Sequence, residues 1–576
     1  MPNLFAGVSL ALQSMLSHQA AVQVIEHNVA NANTEGYKRQ EAVLKAGPAI
    51  SYSGASYLMG VGQLGTGVVV DSIRRFSTDF YDMRYRSEIQ SAAQYNLESS
   101  ILSQIEDEFS ETSSSGLVSQ LDSFWSSWQQ LSVDPSNSAL RAELVDVANT
   151  LTQAIQSRAL NIRTVQAEQN TQITQRVDSI NQLAEQVARL NGEIMRVVSL
   201  GEQPNDLMDQ RDTLLDELAK VSGASVSMQT NGDAIVSING HVLVQSVESF
   251  DLETYADPAN ANLYAIRWSD GQEVNPTSGE LAGLFSARDG VLGDQMQVLD
   301  DLSNALITRI NELHLSGYAS GKTSSVSANN TITSIQAGEL ATGQTELSTG
   351  QYFIETRQNA GTWQFRVVDA TGTPASIQLT DLSGYSDDWQ DIPASGGSYD
   401  TGRGLTLQFG TDSSQYTETS YTTGAASVQF YEQQAFFTGT DALSIAVNAN
   451  ILSNSNLLAT ATAPNQPGNG DLARALANVR TETLMNGGLS TINQFYTSQV
   501  ATFGVEVNRA STNATDRQAI ADVIDQQRLS ISGVNLNEEA AKLVTAQKAF
   551  EASARLMTVI DEMLDTIING MGLVGR

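Results

Sequence analysis

Three aspartates at three-residue spacing are the strongest candidates for chemistry in this chain of 576 residues. Asp206, Asp209 and Asp212 share one face of a predicted helix, where three carboxylates could hold a hard cation or form an acid–base pair. The glycine and the terminal glutamate of an EF-hand loop are missing. Acidic side chains near a helix N-terminus are favourable without any ligand, and Arg211 can pair with its neighbours. A structural role is therefore the favoured interpretation, and no metal site is predicted.

A glycine-rich stretch is the second candidate. Gly60, Gly62 and Gly65 match the GxGxxG pattern of dinucleotide-binding loops. That site needs a strand before the glycines and a helix after them, whereas here the apolar run 68–70 follows the glycines. The sequence indicates a turn that leads into a strand, so no cofactor is predicted.

The composition excludes several classes of protein. Cysteine is absent, which excludes disulfides, thiolate metal sites and cysteine nucleophiles. The four histidines lack zinc-ligand spacing and no Ser–His–Asp set is recognisable, so an enzyme is not predicted. The net charge of −33 argues against binding to nucleic acid or to anionic membranes. The first basic residue is Lys38, so the basic start of a secretory signal is missing, and no stretch approaches the roughly 18 apolar residues of a spanning helix.

Both ends of the chain are predicted to form helices with a heptad pattern. The N-terminal pattern consists of Val8, Met15, Val22 and Val29, together with Leu4, Ala11, His18 and Ile25. The C-terminal pattern consists of Leu536, Leu543, Phe550, Met557, Leu564 and Met571. A narrow apolar stripe favours a coiled coil between the two ends or with neighbouring copies, and ordinary surface helices are the alternative. Each helix alone is expected to be unstable, because ordering one residue costs about 1–2 kcal/mol of backbone entropy.

The middle of the chain alternates between helical and β patterns. A helix is predicted over 138–199, and shorter ones over 79–109, 117–131, 293–315 and 490–528. Alternating apolar residues predict strands at 363–367, around Phe365, and at 405–409, around Leu407, and the turn signals at Asn239-Gly240 and 359–361 predict hairpins. The predicted fold class is α+β multidomain: the N- and C-terminal helices pair as a coiled coil, with a long helical rod domain and a β-rich inserted outer domain. The predicted domains are 1–40 plus 532–576, 41–320 plus 438–531 with a β subdomain near 222–290, and 321–437.

A family resemblance rests on four blocks of sequence. Residues 28–39 resemble the N-x-A-N-x-x-T-x-G-Y-x-R signature of bacterial flagellar rod, hook and hook-associated proteins, with Glu35 where a proline is common. Residues 532–541 with 547–555 resemble the closing signature of the same family. The internal blocks 65–75 and 205–217 are similar to the members at the hook–filament junction. The β-rich segment 321–437 resembles no domain of the family, whose outer domains vary.

The resemblance implies a structural protein of the extracellular flagellum. Family members are exported unfolded by the flagellar type III system with a cytosolic chaperone on the C-terminal region, and their terminal helices form an inner tube. The implied partners are copies of the chain in a ring at the hook tip, hook protein and the second junction protein, with no nucleic acid and no membrane. The alternatives are another axial protein, such as hook protein or the second junction protein, or a secreted surface adhesin.

Two sets of residues carry these expectations. The predicted assembly residues are Val8, Met15, Val22, Ile25, Val29, Leu536, Leu543, Phe550, Met557 and Leu564. The family-motif residues are Asn28, Asn31, Asn33, Gly36, Tyr37, Arg39, Asn205, Asp206, Asp209, Arg211 and Asp212. The asparagines and the glycine at 28–36 are expected to end the helix and accept positive φ angles, and Tyr37 to anchor the loop by packing.

Overall fold

A computed structural model describes residues 2–51, 63–106, 109, 116–319, 323–341, 344, 347–379, 383–393, 396–430, 433–463, 466 and 468–570. The chain divides into two compact units. The first consists of Met1–Leu102, Gln166–Gly290 and Val507–Arg576, and the second of Ser103–Val165 and Val291–Glu506. The α+β multidomain class predicted from the sequence is confirmed.

Eleven α-helices lie in the described residues. They are α1 Pro2–Ala30, α2 Asp79–Glu106, α3 Leu117–Val133, α4 Ser138–Ser199, α5 Asn205–Ser222, α6 Gly279–Phe285, α7 Leu292–Leu315, α8 Ala449–Ser453, α9 Asp471–Asn478, α10 Ile492–Ser532 and α11 Leu536–Gly570. The 62-residue α4 has the predicted bounds. Asn137 begins it by accepting a hydrogen bond from the Ala139 N–H at 3.0 Å.

In its described residues, the first unit contains four small antiparallel sheets. Their strands are β1 Gln40–Ala46, β2 Ile50–Ser51, β3 Gln63–Leu64, β4 Val68–Arg75, β5 Ser225–Met228, β6 Ala234–Ile238, β7 His241–Gln245, β8 Glu248–Ser249, β9 Leu252–Asp257, β10 Leu263–Trp268 and β11 Glu273–Val274. Strand β1 pairs with β4, β2 with β3, and the other sheets have the orders β5-β6-β7-β8 and β11-β10-β9. Asn239 and Gly240 both have positive φ angles between β6 and β7, which confirms the predicted hairpin turn.

The second unit contains the β-rich part. Its strands are β12 Tyr318–Ala319, β13 Thr323–Ser327, β14 Ile332–Leu340, β15 Gly350–Asn359, β16 Thr362–Asp369, β17 Ile377–Gln378, β18 Tyr385–Ser386, β19 Gln390–Asp391, β20 Gly397–Asp400, β21 Arg403–Phe409, β22 Ala426–Phe430, β23 Phe437–Thr438, β24 Ala446–Val447 and β25 Ala459–Ala461. A five-stranded sheet has the order β13-β22-β15-β16-β19, and a three-stranded sheet has the order β14-β21-β20. One apolar core joins the two sheets, with Ile354 and Phe365 from the first and Leu405 and Leu407 from the second. The predicted strands around Phe365 and Leu407 are confirmed.

The candidate nucleotide loop lies partly outside the described residues, which include Gly65 but not Gly60 or Gly62. Gly65 follows β3, and the strand β4 comes next, as predicted. Within the described ranges, no helix combines the length and the apolarity that crossing a bilayer requires.

Candidate assembly site

The two terminal helices pack against each other in antiparallel orientation. Near one end of the pair, Gly7 lies against Ile560, and a Cβ placed on Gly7 would come within 3.2 Å of the Ile560 Cδ1. Near the other end, Asn28 donates a hydrogen bond to Glu539 at 2.8 Å. Among the half-buried or buried side chains of α11, one set recurs at heptad spacing: Glu539, Leu543, Ala546, Phe550, Ser553, Met557, Ile560 and Leu564. The pairing of the two chain ends is therefore present within a single chain.

The ribbon β1–β4 packs on another side of α1. The Ser17 Oγ lies 2.8 Å from the carbonyl oxygens of both Gln13 and Val68, which share its one donor hydrogen. Gly67, with a φ of +102°, lies where a Cβ would come within 3.3 Å of the Leu10 carbonyl oxygen. Helix α1 is thus held from two directions inside the first unit.

A tight turn follows α1. The Asn31 side chain donates to the His27 carbonyl at 3.0 Å, and the Thr34 hydroxyl donates to Asn31 Oδ1 at 3.2 Å. Gly36 has a φ of +77°, and a Cβ there would come within 2.2 Å of the Thr213 Oγ1. Glycine is therefore required at this position for both its backbone angle and its size.

The predicted roles of the three asparagines need correction. Among residues 28–36, all of which the structure describes, the positive φ lies at Gly36 and not at Asn28, Asn31 or Asn33. Asn28 is still helical and fully buried, while Asn33 is exposed. The reason is that side-chain hydrogen bonds from Asn31 and Thr34 form the turn, so it needs only one left-handed residue.

Tyr37 anchors the turn by hydrogen bonds as well as by packing. Its hydroxyl donates to Asn28 Oδ1 at 2.8 Å and lies 3.0 Å from His27 Nδ1, and its ring meets the His27 ring edge-on. Burial, with the nearby carboxylates of Asp206, Asp209 and Glu539, raises the pKa of Tyr37, so the phenol stays protonated.

A buried ionic cluster lies directly after the turn. Asp212 accepts hydrogen bonds from Lys38 at 2.8 Å, Arg75 at 3.0 Å and Arg86 at 3.4 Å. These four side chains come from α5, the turn, β4 and α2, and all are less than 15% exposed. Burial alone raises the pKa of Asp212, but the three cations outweigh it and hold that pKa well below its usual value.

Further acidic groups balance the remaining cations. Asp209 pairs with Arg75 at 2.8 Å and accepts the Lys38 N–H at 3.0 Å, yet its burial dominates and raises its pKa. Lys38 also pairs with Asp82 at 2.9 Å. Asp216 bridges Arg86 at 2.7 Å and Arg528 of α10 at 2.6 Å. The cluster therefore ties α2, α5, α10 and the segment after α1 together through alternating charges.

The sequence predicts that Arg211 pairs with acidic residues of its own helix, but the structure shows different partners. Arg211 donates to Asn191 Oδ1 at 2.9 Å and to the Gly232 carbonyl, rather than pairing along its own helix. Asp209 and Asp212 neutralise cations from distant segments, and only Asp206 lies exposed in the first turn of α5. Within the described residues, no group of three acidic or histidine side chains could hold a metal ion.

Two more motif residues complete the site. Asn205 donates to the Ile73 carbonyl at 2.9 Å, which fixes the start of α5 on β4. Arg39 pairs with Glu538 at 3.1 Å and lies over the Phe76 ring, with Cζ 4.1 Å from the ring centroid. The Arg39 N–H also donates to the Ser532 carbonyl at 2.7 Å, at the end of α10.

Comparisons with known proteins show which flagellar proteins this chain is similar to. Residues 102–326 match the family described as the flagellar hook-associated protein FlgK helical domain, and residues 525–570 match the flagellar basal body rod FlgEFG protein C-terminal family. Flagellar hook-associated protein 1 of Bacillus subtilis (strain 168) is 28% identical over 100% of both chains. The protein of the same name from Escherichia coli (strain K12) is 26% identical over 98% of this chain and 99% of its own length.

The chain is a homologue of flagellar hook-associated protein 1.

A solved structure agrees on the fold. The flagellar hook junction protein FlgK from Burkholderia pseudomallei has a TM-score of 0.53 and 15% identity, over 78% of this chain and 100% of that one. At this identity, the match shows the fold alone.

In this hook-associated protein homologue, the predicted assembly residues have unequal exposure. Ile25 is buried; Val8, Met15, Val22, Leu543, Phe550, Met557 and Leu564 are half-buried; and Val29 and Leu536 are exposed. Sequence reasoning missed a second set of exposed apolar side chains on the same two helices. Leu12 and Leu16 are 43% and 55% exposed on α1, and Leu556, Val559 and Met563 are 41–47% exposed on α11. Their spacing, four residues on α1 and three then four on α11, is a signal that sequence could have provided.

Sequence reasoning also missed the cations and the acid at the far end of the cluster, namely Lys38, Arg75, Arg86, Asp82 and Arg528. These residues lie on four segments, since Asp82 and Arg86 are both on α2, and no local pattern connects the four segments. Glu539 is only 1% exposed and was part of a recognised signature, although its partner Asn28 could not be inferred.

Proposed function

We propose that this chain is a structural component of the extracellular bacterial flagellum that joins the hook to the filament. The observation that carries the proposal is similarity over 98–100% of the chain to proteins named flagellar hook-associated protein 1. The paired terminal helices, with apolar side chains still facing outward, support it because an axial component must bind copies of itself and its neighbours.

Assembly in this proposal uses the exposed apolar side chains of the terminal helices. Two sets, Leu12 with Leu16 and the α11 residues Leu556, Val559 and Met563, each lie on one face of their helix. Because each of these side chains is only about half exposed, burying its remaining surface against a neighbouring copy contributes about 1 kcal/mol. Val29 and Leu536 are also exposed, near the Asn28–Glu539 end of the helix pair, and offer further apolar contacts there, while the half-buried heptad residues hold the pair together.

The ionic cluster has a different role in this proposal. It fixes the terminal pair to α2, α5 and α10 by charge pairs rather than by apolar contacts. An ionic cluster requires defined geometry, since a buried charge without its partner is costly, so it sets one orientation of the anchoring segments. The motif residues are therefore positioning residues for the assembly surface.

The domain division and the partners follow from the same proposal. Residues 1–40 with 532–576 form the inner tube, 41–320 with 438–531 the rod domain, and 321–437 the outer domain. The chain is exported unfolded by the flagellar type III system with a chaperone on its C-terminal region. It then forms a ring at the hook tip, bound to hook protein on one side and to the second junction protein on the other.

Deletion of α11 tests the proposal. A variant lacking 536–576, expressed in a strain without the native gene, is expected to leave hooks without filaments, with filament protein released into the medium. Normal filaments on these cells would contradict the junction function.

Point variants separate assembly from folding. Leu556→Asp places a charge in the exposed apolar set of α11, whereas Thr558→Asp places the same charge at an exposed position off that face. Both purified chains are expected to keep the helical circular dichroism of the wild type. Only Leu556→Asp is expected to lose filaments, and equal behaviour of the two variants would exclude this surface.

A further inference from the structure

An aromatic ring with two guanidinium groups lies on the β-rich part of the second unit. Trp389 precedes the edge strand β19 and is half-buried. The Cζ atoms of Arg357 on β15 and Arg366 on β16 lie 4.2 Å and 4.7 Å from the centroid of its ring. Segment 321–437 has four basic residues against twelve acidic ones, so the convergence of two of the four on one ring is a specific feature.

Polar partners fix the two guanidinium groups. Glu355, whose side chain is 5% exposed, accepts a hydrogen bond from the Arg366 Nε at 2.7 Å and another from the Tyr421 N–H at 3.0 Å. The Arg357 Nε donates to the Gln364 side chain at 3.0 Å. In the part of the chain that the structure describes, these contacts use Nε and leave the terminal nitrogens of both groups for solvent or a ligand.

A loop forms the opposite wall of a cleft beside this ring. Thr356 and Thr419 exchange two backbone hydrogen bonds, of 3.3 Å and 2.8 Å, which hold the loop along β15. Glu418, Thr419, Ser420 and Thr423 then line an open cleft of about 420 Å³ with the arginines and Trp389. This volume lies within the range of roughly 300–1,000 Å³ that is typical of small-molecule sites.

The charged side chains and the indole ring that line the cleft favour a neutral ligand rich in hydroxyl groups. Two cations, Arg357 and Arg366, face two carboxylates, Glu355 and Glu418, so neither an anion nor a cation gains a net electrostatic advantage. The charged groups offer strong donors and acceptors in fixed positions, and each sugar hydroxyl can both donate and accept. The indole ring adds an apolar surface for the C–H groups of a pyranose ring.

We propose that this cleft binds a saccharide, with a pyranose unit between Trp389 and the 418–423 loop. This is a binding function separate from assembly, because it uses the outer domain and none of the terminal-helix residues. Arg357, Arg366 and Glu418 would bind the hydroxyl groups, and Glu355 would position Arg366.

Fluorine NMR of the full-length chain labelled with 5-fluorotryptophan tests the proposal. The five tryptophans give five signals, and Trp389→Phe assigns the relevant one. The probes are hexasaccharides of α-1,4-glucose, β-1,4-glucose and β-1,4-N-acetylglucosamine, each titrated to about 10 mM, with inorganic phosphate as an anionic probe. At least one hexasaccharide is expected to shift the Trp389 signal saturably, while the other four signals and the phosphate titration stay unchanged.

Variants locate the binding. Trp389→Ala and Glu418→Gln are expected to weaken the affinity by about tenfold or more, as measured by calorimetry. Asp388→Asn, at an exposed position beside the cleft but outside its lining, is expected to leave the affinity within about twofold. The absence of saturable binding by all three hexasaccharides, a response to phosphate alone, or binding that survives both Trp389→Ala and Glu418→Gln would each overturn the proposal. None of these outcomes bears on filament formation. The proposed junction function is therefore tested independently, by the variants of α11.

Discussion

Asn28 and Glu539 are 511 residues apart in the chain and joined by a hydrogen bond of 2.8 Å at the buried end of the terminal helix pair. Asn28 also donates to the Gln40 carbonyl at 2.8 Å and accepts from the Gln40 N–H at 2.9 Å and the Tyr37 hydroxyl at 2.8 Å. Its two donor hydrogens and both sides of its acceptor oxygen are thus occupied. One asparagine therefore links α1, its turn, β1 and α11.

Replacing Asn28 tests this link. Asn28→Leu keeps a similar volume but leaves the Gln40 peptide groups and Glu539 without this partner, so we expect a loss of about 3 kcal/mol in unfolding free energy. Urea titration measures the loss, and hydrogen exchange should show faster exchange in α11. Asn28→Asp is expected to be equally harmful because it places a second carboxylate against Glu539. Adding Glu539→Gln should recover about 1–3 kcal/mol, and no recovery would mean that the pair does not couple.

Removing the charge of Asp212 tests the ionic cluster. Asp212→Asn leaves Lys38, Arg75 and Arg86 without their shared anion, and we expect a loss of about 3–5 kcal/mol in urea titration. Asp206→Asn is the matched control, since the Asp206 side chain is 61% exposed and only about 0.5 kcal/mol is expected to change. Similar losses in the two variants would show that the cluster is not the source of the stability.

Alanine variants at Gly36 and Gly240 distinguish the cost of backbone strain from the cost of steric overlap. Gly36→Ala meets both a φ of +77° and the Thr213 hydroxyl, whereas Gly240→Ala meets a φ of +85° with no atom within 4 Å. Gly240→Ala is expected to cost about 1 kcal/mol, and Gly36→Ala more. Thermal unfolding of Gly36→Ala with and without Thr213→Ala should show partial recovery in the double variant. If Thr213→Ala gives no recovery, the overlap is not the cause.

Because of the buried His314, we expect the second unit to lose stability in acid. Its Nδ1 lies 2.8 Å from the Gln434 carbonyl, so it carries the proton, and its Nε2 accepts the Ala459 N–H at 2.9 Å. Complete burial, assisted by Arg141, lowers its pKa from 6.5 to about 4 against the opposing effect of the Gln434 carbonyl.

The direction of the pH effect follows from the difference between the pKa of His314 in the folded chain and in the unfolded chain. Below pH 6.5 the unfolded chain takes up a proton at His314 while the folded chain does not, so stability falls by about 3 kcal/mol as the pH drops to about 4. Urea titrations between these pH values measure the slope, and His314→Gln is expected to flatten it. The depressed pKa of Asp212 affects stability only below its usual value of 3.8, so the two windows do not overlap. An unchanged slope in His314→Gln would assign the effect to other groups.

Local patterns predicted most of the elements. The bounds of α4 are those predicted, α7 and α10 begin within two residues of their predicted starts, and the hairpin at Asn239-Gly240 has the expected turn. These features depend on periodicity, capping and turn chemistry over a few residues, which the sequence contains directly.

The sequence alone determined that both chain ends are helices with apolar stripes, that cysteine chemistry is absent, and which blocks resemble a flagellar family. Only the tertiary structure decided what the acidic block of α5 does, because Lys38 and Asp212 are 174 residues apart and no local pattern relates them. It also decided which apolar residues of the terminal helices stay exposed, since Leu16 is 55% exposed while Ala11 is fully buried on the same helix. Helix formation is governed by neighbours within a turn, whereas charge pairing and exposure depend on which distant segments meet.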